Sequence, residues 1–262
     1  MKQALLIGLA AIAVIASTSW AEIQTQIVNY QDGNVQLEGF LAWDNAMQGP
    51  RPGVLVVHQW KGLGDYEMRR ARELAQLGYV AFAIDMYGKG VRPETAEEAG
   101  KLAGIFKNDR ALTRTRAAVG LGVLESNPLT ADQPIAVIGY CFGGMVALEL
   151  ARSGAPIAGT VSFHGSLDTP HPEDASHIQG KVLALQGADD PYAPPAQVEA
   201  FQKEMRDAHV DWQFISYGGS VHAFTDPGAG NDPSKGAAYN AAADRRSWQA
   251  MKDFFAEIFS PK

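Results

Sequence analysis

Six consecutive residues combine a nucleophile with the geometry needed to present it. Gly139, Tyr140, Cys141, Phe142, Gly143 and Gly144 follow an apolar, β-branched run from Ile135 to Ile138 and lead into Met145 to Ala151, which has helical spacing. The pattern predicts a strand turning sharply into a helix, with the chain's one cysteine at the turn. Glycines two before and two after Cys141 let strand and helix approach closely enough to hold its side chain in a strained, exposed turn. The helix N-terminus behind it favours negative charge, on a thiolate or on a substrate oxygen. The competing reading is a buried cysteine packed as a small hydrophobe.

A thiol near neutral pH is only partly ionised, and acyl transfer also requires a proton for the leaving group, so a histidine is needed nearby. Of six histidines, His222 lies in the loop Gly218 to Asp226, after the last strand-like run and before the terminal helix. An acid should orient the imidazole, and Asp190 follows the strand-like run Lys181 to Gln186. In a parallel sheet both loops open on the same edge as the cysteine turn. The order nucleophile, acid, histidine is that of the α/β-hydrolase arrangement.

The elements that must position these residues alternate between strand and helix patterns, which predicts a mostly parallel sheet covered by helices on both faces. Ile23 to Tyr30 and Val35 to Trp43 flank a turn at Asp32, Gly33 and Asn34 and read as an edge hairpin. Further strands are expected at Gly53 to Val57, Tyr79 to Ile84, Ile157 to Phe163, Lys181 to Gln186 and Trp212 to Tyr217. Helices are expected from an N-cap at Asp65 through Leu77, with Gly78 as the stop, and over Pro93 to Phe106, where Thr95 and Glu98 have capping-box spacing. Others are expected at Arg110 to Leu124, Pro195 to Ala208 and Ala238 to Phe259.

The chain has 262 residues, 46% of them hydrophobic and 19% charged, and reads as one α/β domain over 22–262. Residues 1–21 read as a cleavable signal peptide: Lys2, an apolar stretch from Ala4 to Ala16, then Ser19 and Ala21 before Glu22. That stretch is well short of the ~20 residues that span a bilayer, so the expectation is export to a periplasm or the exterior, without a stable membrane anchor. An exported lone cysteine has no internal disulfide partner, and its presence asks for a chemical role or deep burial. The net charge of −7 argues against a nucleic-acid partner. No His, Asp and Glu cluster has metal-ligand spacing, and neither GxGxxG nor a P-loop occurs, so no metal or cofactor is expected.

The elbow GYCFGG, the segment Gly187 to Pro194 (GADDPYAP) and the segment Val221, His222, Ala223, Phe224 resemble, in this order, the motifs of the dienelactone hydrolase family. The resemblance covers nearly the whole chain after the signal segment. It implies an α/β-hydrolase fold, Cys141 as nucleophile, His222 as base and acid, and Asp190 rather than Asp189 as its orienter, since Ala193 and Pro194 stand at the family spacing from Asp190. It further implies an oxyanion hole of the Trp60 and Phe142 backbone N–H groups. Gln59 stands where dienelactone hydrolases carry a glutamate, and an amide cannot accept a proton. Activation is therefore expected from His222, with Gln59 bonding the thiol or the substrate. Lys89 resembles one of two substrate-binding arginines, whereas the other position is Asp226, which disfavours an anion. Tyr87, with Trp60, Tyr140, Phe142 and Phe224, is a candidate wall of an apolar pocket, and His164 is a candidate substrate contact.

The functional reading is a cofactor-free hydrolase cleaving a small ester or lactone through an acyl-cysteine. The alternative is a non-catalytic or redox-sensing thiol protein on the same fold, the redox form being disfavoured because no second cysteine could resolve a sulfenate. The oligomeric state is left open by the sequence.

Overall fold

Side chains on alternate positions of each inner strand face opposite layers of helices, and this period of two organises the molecule. The computed structural model describes residues 22–260; the segment read as a signal peptide lies outside them. β1 (Ile23–Asp32) and β2 (Val35–Asp44) form the expected edge hairpin, and β2 pairs antiparallel with β4 (Val80–Ile84). β3 (Gly53–Val57), β4, β5 (Ile135–Tyr140), β6 (Gly159–Phe163), β7 (Lys181–Gly187) and β8 (Trp212–Tyr217) run parallel. All eight strands join one sheet in the order β1-β2-β4-β3-β5-β6-β7-β8, the mostly parallel α/β arrangement expected from the sequence.

Val54, Val56, Ala136 and Ile138 pack on one face against α1 (Asp65–Gln76) and α6 (Ala241–Ile258), through Leu74, Met251 and Phe255. Leu55, Val57 and Val137 pack on the other face against α2 (Ala96–Asn108), α3 (Arg110–Glu125) and α4 (Phe142–Arg152), through Phe106, Leu121 and Val146. α5 (Pro195–Asp207) covers Val182 and Ala184 with Phe201 and Met205. β3 to β6 are buried along their whole length, which is why β3 and β4 read as unbroken apolar runs, whereas β6 carries the buried hydroxyls of Thr160 and Ser162. Each fully buried leucine such as Leu74 is worth about 2 kcal/mol in transfer alone.

Three helix starts differ from the expected ones, and local hydrogen bonding explains each. The N-cap of α1 is Gly64, not Asp65, because the Glu67 carboxylate reaches back to the Gly64 N–H. α2 begins at Ala96, after the Thr95 cap, with Pro93 and Glu94 outside it. α6 begins at Ala241 because the Ala238 N–H is taken by the His222 carbonyl and Asn240 caps the helix. Among the described residues no helix is long and apolar enough to cross a membrane.

Candidate active site

Parallel strands deliver their carboxyl ends to one edge, and the loops after β3, β5, β7 and β8 meet there. At the end of β5 the chain turns with Cys141 at φ +55°, a conformation that a side chain other than glycine adopts only when its surroundings enforce it. The enforcement comes from the glycines. A Cβ on Gly139 would lie 1.9 Å from the Gly143 carbonyl oxygen, and one on Gly143 would lie 2.3 Å from that of Val57, so strand, elbow and helix α4 close to a distance that excludes larger residues.

Cys141 Sγ lies 3.0 Å from His222 Nε2, and His222 Nδ1 lies 2.9 Å from Asp190 Oδ2. The backbone fixes the His222 loop from both sides: the His222 N–H donates to Gly236 O and its carbonyl accepts from Ala238 N–H. Asp190 is buried, and it also accepts from Gln186 Nε2 (2.8 Å) and from the Tyr192 N–H (2.8 Å). Its neighbour Asp189 is exposed, so one step along the chain separates the carboxylate that meets the imidazole from one that meets water.

Burial alone would raise the Cys141 thiol and lower the His222 imidazole. The pairing outweighs burial in both: the imidazolium and the Phe142 N–H hold the Cys141 thiol below its ordinary range, while the thiolate and Asp190 hold His222 above its own. The pair can therefore rest as thiolate and imidazolium, an arrangement able to offer a charged sulfur with a proton donor beside it. The Phe142 N–H faces the sulfur at the start of α4, where the helix dipole adds to the same effect.

The Cys141–His222 pair opens on a cavity of about 960 Å³, whose lining includes Gln59, Trp60, Phe142 and Tyr192. Lys61, Arg92 and Lys107 also border it, as do Glu67 and Asp226. Among the described residues no three His, Cys, Asp or Glu side chains gather as a metal site.

Several expected contacts fall elsewhere. Gln59 lines the cavity but does not bond the thiol: its Nε2 donates to Asp226 Oδ2 at 2.9 Å, the carboxylate across the site being a better acceptor than a thiolate already paired with imidazolium. Lys89 does not line the cavity. Its Nζ turns to the edge hairpin, where Asn29 Oδ1 (2.6 Å) and Glu38 Oε2 (3.1 Å) attract it. Tyr87 lies behind the cavity wall, its ring against His58 and Phe142 and its hydroxyl donating to the Trp60 carbonyl at 2.9 Å. His164 is likewise a layer behind, fully buried, with Nε2 2.8 Å from Thr225 Oγ1 and its ring edge-on to His222. Burial drives its pKa well down, so it stays neutral.

Glu67 was not among the expected site residues. Its signal is faint but present: Glu67, Arg70, Ala71, Leu74 and Ala75 form the buried stripe of α1, and an acid in register with an apolar stripe asks for buried partners.

Against known proteins, the model of the dienelactone hydrolase family matches residues 37–259. The solved structure of m3DLH is 41% identical, with a TM-score of 0.87 over 91% of this chain and 99% of its own. P91, a dienelactone hydrolase-like promiscuous phosphotriesterase from metagenomic libraries, is also 41% identical, with a TM-score of 0.86 over 92% of this chain and 100% of its own. A Synechocystis protein named "Putative carboxymethylenebutenolidase" is 28% identical over 89% of this chain and 97% of its own. The chain belongs to the dienelactone hydrolase family and is a hydrolase acting on ester bonds.

Proposed function

We propose that the protein cleaves a small carboxylic ester or lactone through an acyl-cysteine formed on Cys141, with His222 and Asp190 completing the triad. The observation that carries this reading is the unbroken line Cys141 Sγ, His222, Asp190, at 3.0 and 2.9 Å, at the wall of the cavity. The thiolate attacks the ester carbonyl carbon, and the displaced electron pair rests on the carbonyl oxygen, held by the Phe142 and Trp60 N–H groups. Collapse expels the alkoxide, which takes the His222 proton, and leaves the thioester. Water then attacks the thioester as His222 removes its proton, and the sulfur departs as the acid forms. Asp190 keeps Nδ1 as the protonated nitrogen throughout, so that Nε2 does the transferring.

The substrate reading is a neutral or weakly polar molecule, because Lys89 is occupied on the edge hairpin and Asp226 stands at the other position where the family resemblance would place an anion-binding arginine. The likeness to P91 supports a second activity at the same nucleophile, attack of Cys141 on an activated phosphotriester with expulsion of the aryl alkoxide. Export through the segment 1–21 belongs to the same proposal and rests on its sequence pattern alone.

The test is hydrolysis of 4-nitrophenyl acetate by the protein beside Cys141→Ala and His222→Ala. Loss of activity in both variants is expected. Equal rates in all three, or none in the parent, would overturn the Cys–His mechanism.

A further inference from the structure

The loop between β3 and α1 carries the Trp60 amide, and its two ends are held by one side chain. Glu67 is 2% exposed and has no cationic partner among the described residues. Its Oε1 accepts the Gln59 N–H and its Oε2 accepts the Gly64 N–H, each at 3.0 Å. The Gln59 side chain is tied across the cavity to Asp226, whose other oxygen accepts the Gly228 N–H.

These contacts set the direction of one peptide plane. The Gln59 carbonyl meets His58 Nδ1 at 2.5 Å and the Gly62 N–H at 3.2 Å. His58 Nε2 accepts from the Met86 N–H, so Nδ1 carries the proton and donates. In a trans peptide the N–H points opposite to the C=O, so the Trp60 N–H is turned away from those donors, and it meets no acceptor among the described residues. An unpaired donor of this kind, next to the nucleophile's cavity, is what an oxyanion requires.

We propose that Glu67 is a positioning residue for acyl transfer: its carboxylate, by gripping the Gln59 and Gly64 N–H groups, fixes the Gln59–Trp60 peptide and so aims the Trp60 N–H at the oxyanion. This role rests on the hydrolase reading above. Both Glu67 oxygens are spent on loop N–H groups and neither bonds the sulfur, so its action runs through the loop. Burial pushes its carboxyl up to about 7, against the two N–H bonds and with the nearby Asp226 charge. A buried acid kept at that cost fits a residue retained for its grip rather than for stability.

The experiment compares the parent with Glu67→Ala and the volume-conserving Glu67→Gln, which keeps one acceptor and turns an NH2 toward the other N–H. Two readouts are taken on each: kcat and KM with 4-nitrophenyl acetate, and the rate of Cys141 alkylation by iodoacetamide. Alkylation displaces iodide from a saturated carbon and develops no oxyanion. The expected result is a fall in kcat of about 10- to 100-fold in Glu67→Ala and a smaller fall in Glu67→Gln, with KM and the alkylation rate within about twofold of the parent. Unchanged kcat in both variants would overturn the role, and so would a parallel loss of turnover and alkylation, which would mark Glu67 as purely structural. A parent without Cys141-dependent turnover would overturn the hydrolase reading and this role with it.

Discussion

Cys141 and His222 stand 81 positions apart in the chain and 3.0 Å apart in the fold, sulfur to Nε2. Everything between them in sequence, three strands and two helices, serves to return the chain to the same sheet edge. The pairing changes the chemistry of both groups, because each lowers the cost of charging the other inside a largely buried site.

The first expectation concerns the thiol. With its pKa held down by the imidazolium and the Phe142 N–H, against the burial that would raise it, Cys141 should keep its reactivity with iodoacetamide to lower pH than an ordinary thiol does, the rate falling on the acid side as the thiolate gains a proton. In His222→Ala the burial remains and the compensating charge is gone, so the acid limb should move up, to or beyond the ordinary thiol range. Coincident pH profiles for parent and variant would refute the ion pair.

Asp190 and Asp189 give a sharper contrast. Asp190→Asn replaces the acceptor at His222 Nδ1 and should lower kcat/KM by about 100-fold or more with little change in fold. Asp189→Asn changes an exposed carboxylate and should leave kcat/KM within about twofold. Equal losses would mean that the 2.9 Å contact to His222 is not what matters.

Legibility divided along physical lines. Strands β3 to β5 were readable because burial on both faces writes nearly continuous apolar runs, and the Cys141 elbow because only glycine fits at 139 and 143. Asp190 was separable from Asp189 only by a family spacing; the structure separates them by burial. The orientations of Lys89, Tyr87 and Gln59 were not readable, since each is decided by a partner distant in sequence: Glu38 and Asn29, the Trp60 carbonyl, and Asp226. Glu67 was harder to read although its partners Gln59 and Gly64 are close in sequence, because a helical glutamate looks solvated until the loop packed on it is known.

The elbow glycines carry a stability expectation. Gly143→Ala puts a Cβ 2.3 Å from the Val57 carbonyl oxygen, a backbone atom, so that no flexible side chain can yield to it. Overpacking there should cost at least about 3 kcal/mol, read as a lowered urea midpoint, and should remove activity by shifting α4. Gly122→Ala, on α3 with open space around it, should not destabilise and serves as the control.

Lys89→Ala should leave kcat and KM for a neutral ester unchanged, because Nζ is engaged on the edge hairpin with Asn29 and Glu38 rather than in the cavity. A rise in KM would return Lys89 to the substrate site. An exposed pair of this kind is worth at most about 1 kcal/mol, so the melting temperature should change little.

Glu67 links stability to pH with a sign opposite to that of a salt-bridged carboxylate. Its folded pKa of about 7 lies above the ordinary 4.5, so between those values the native state holds a proton that the unfolded chain has released. The contribution is favourable below about 4.5 and declines as pH rises through 7, by up to about 3 kcal/mol at full size. Glu67→Gln removes that titration. Measured by thermal unfolding at pH 5 and pH 8, the difference between variant and parent should move in the variant's favour at the higher pH, even as the variant turns over more slowly. A difference independent of pH would mean that the carboxyl is already ionised at pH 5 in the folded protein, and that burial exacts no cost for holding the Trp60 loop.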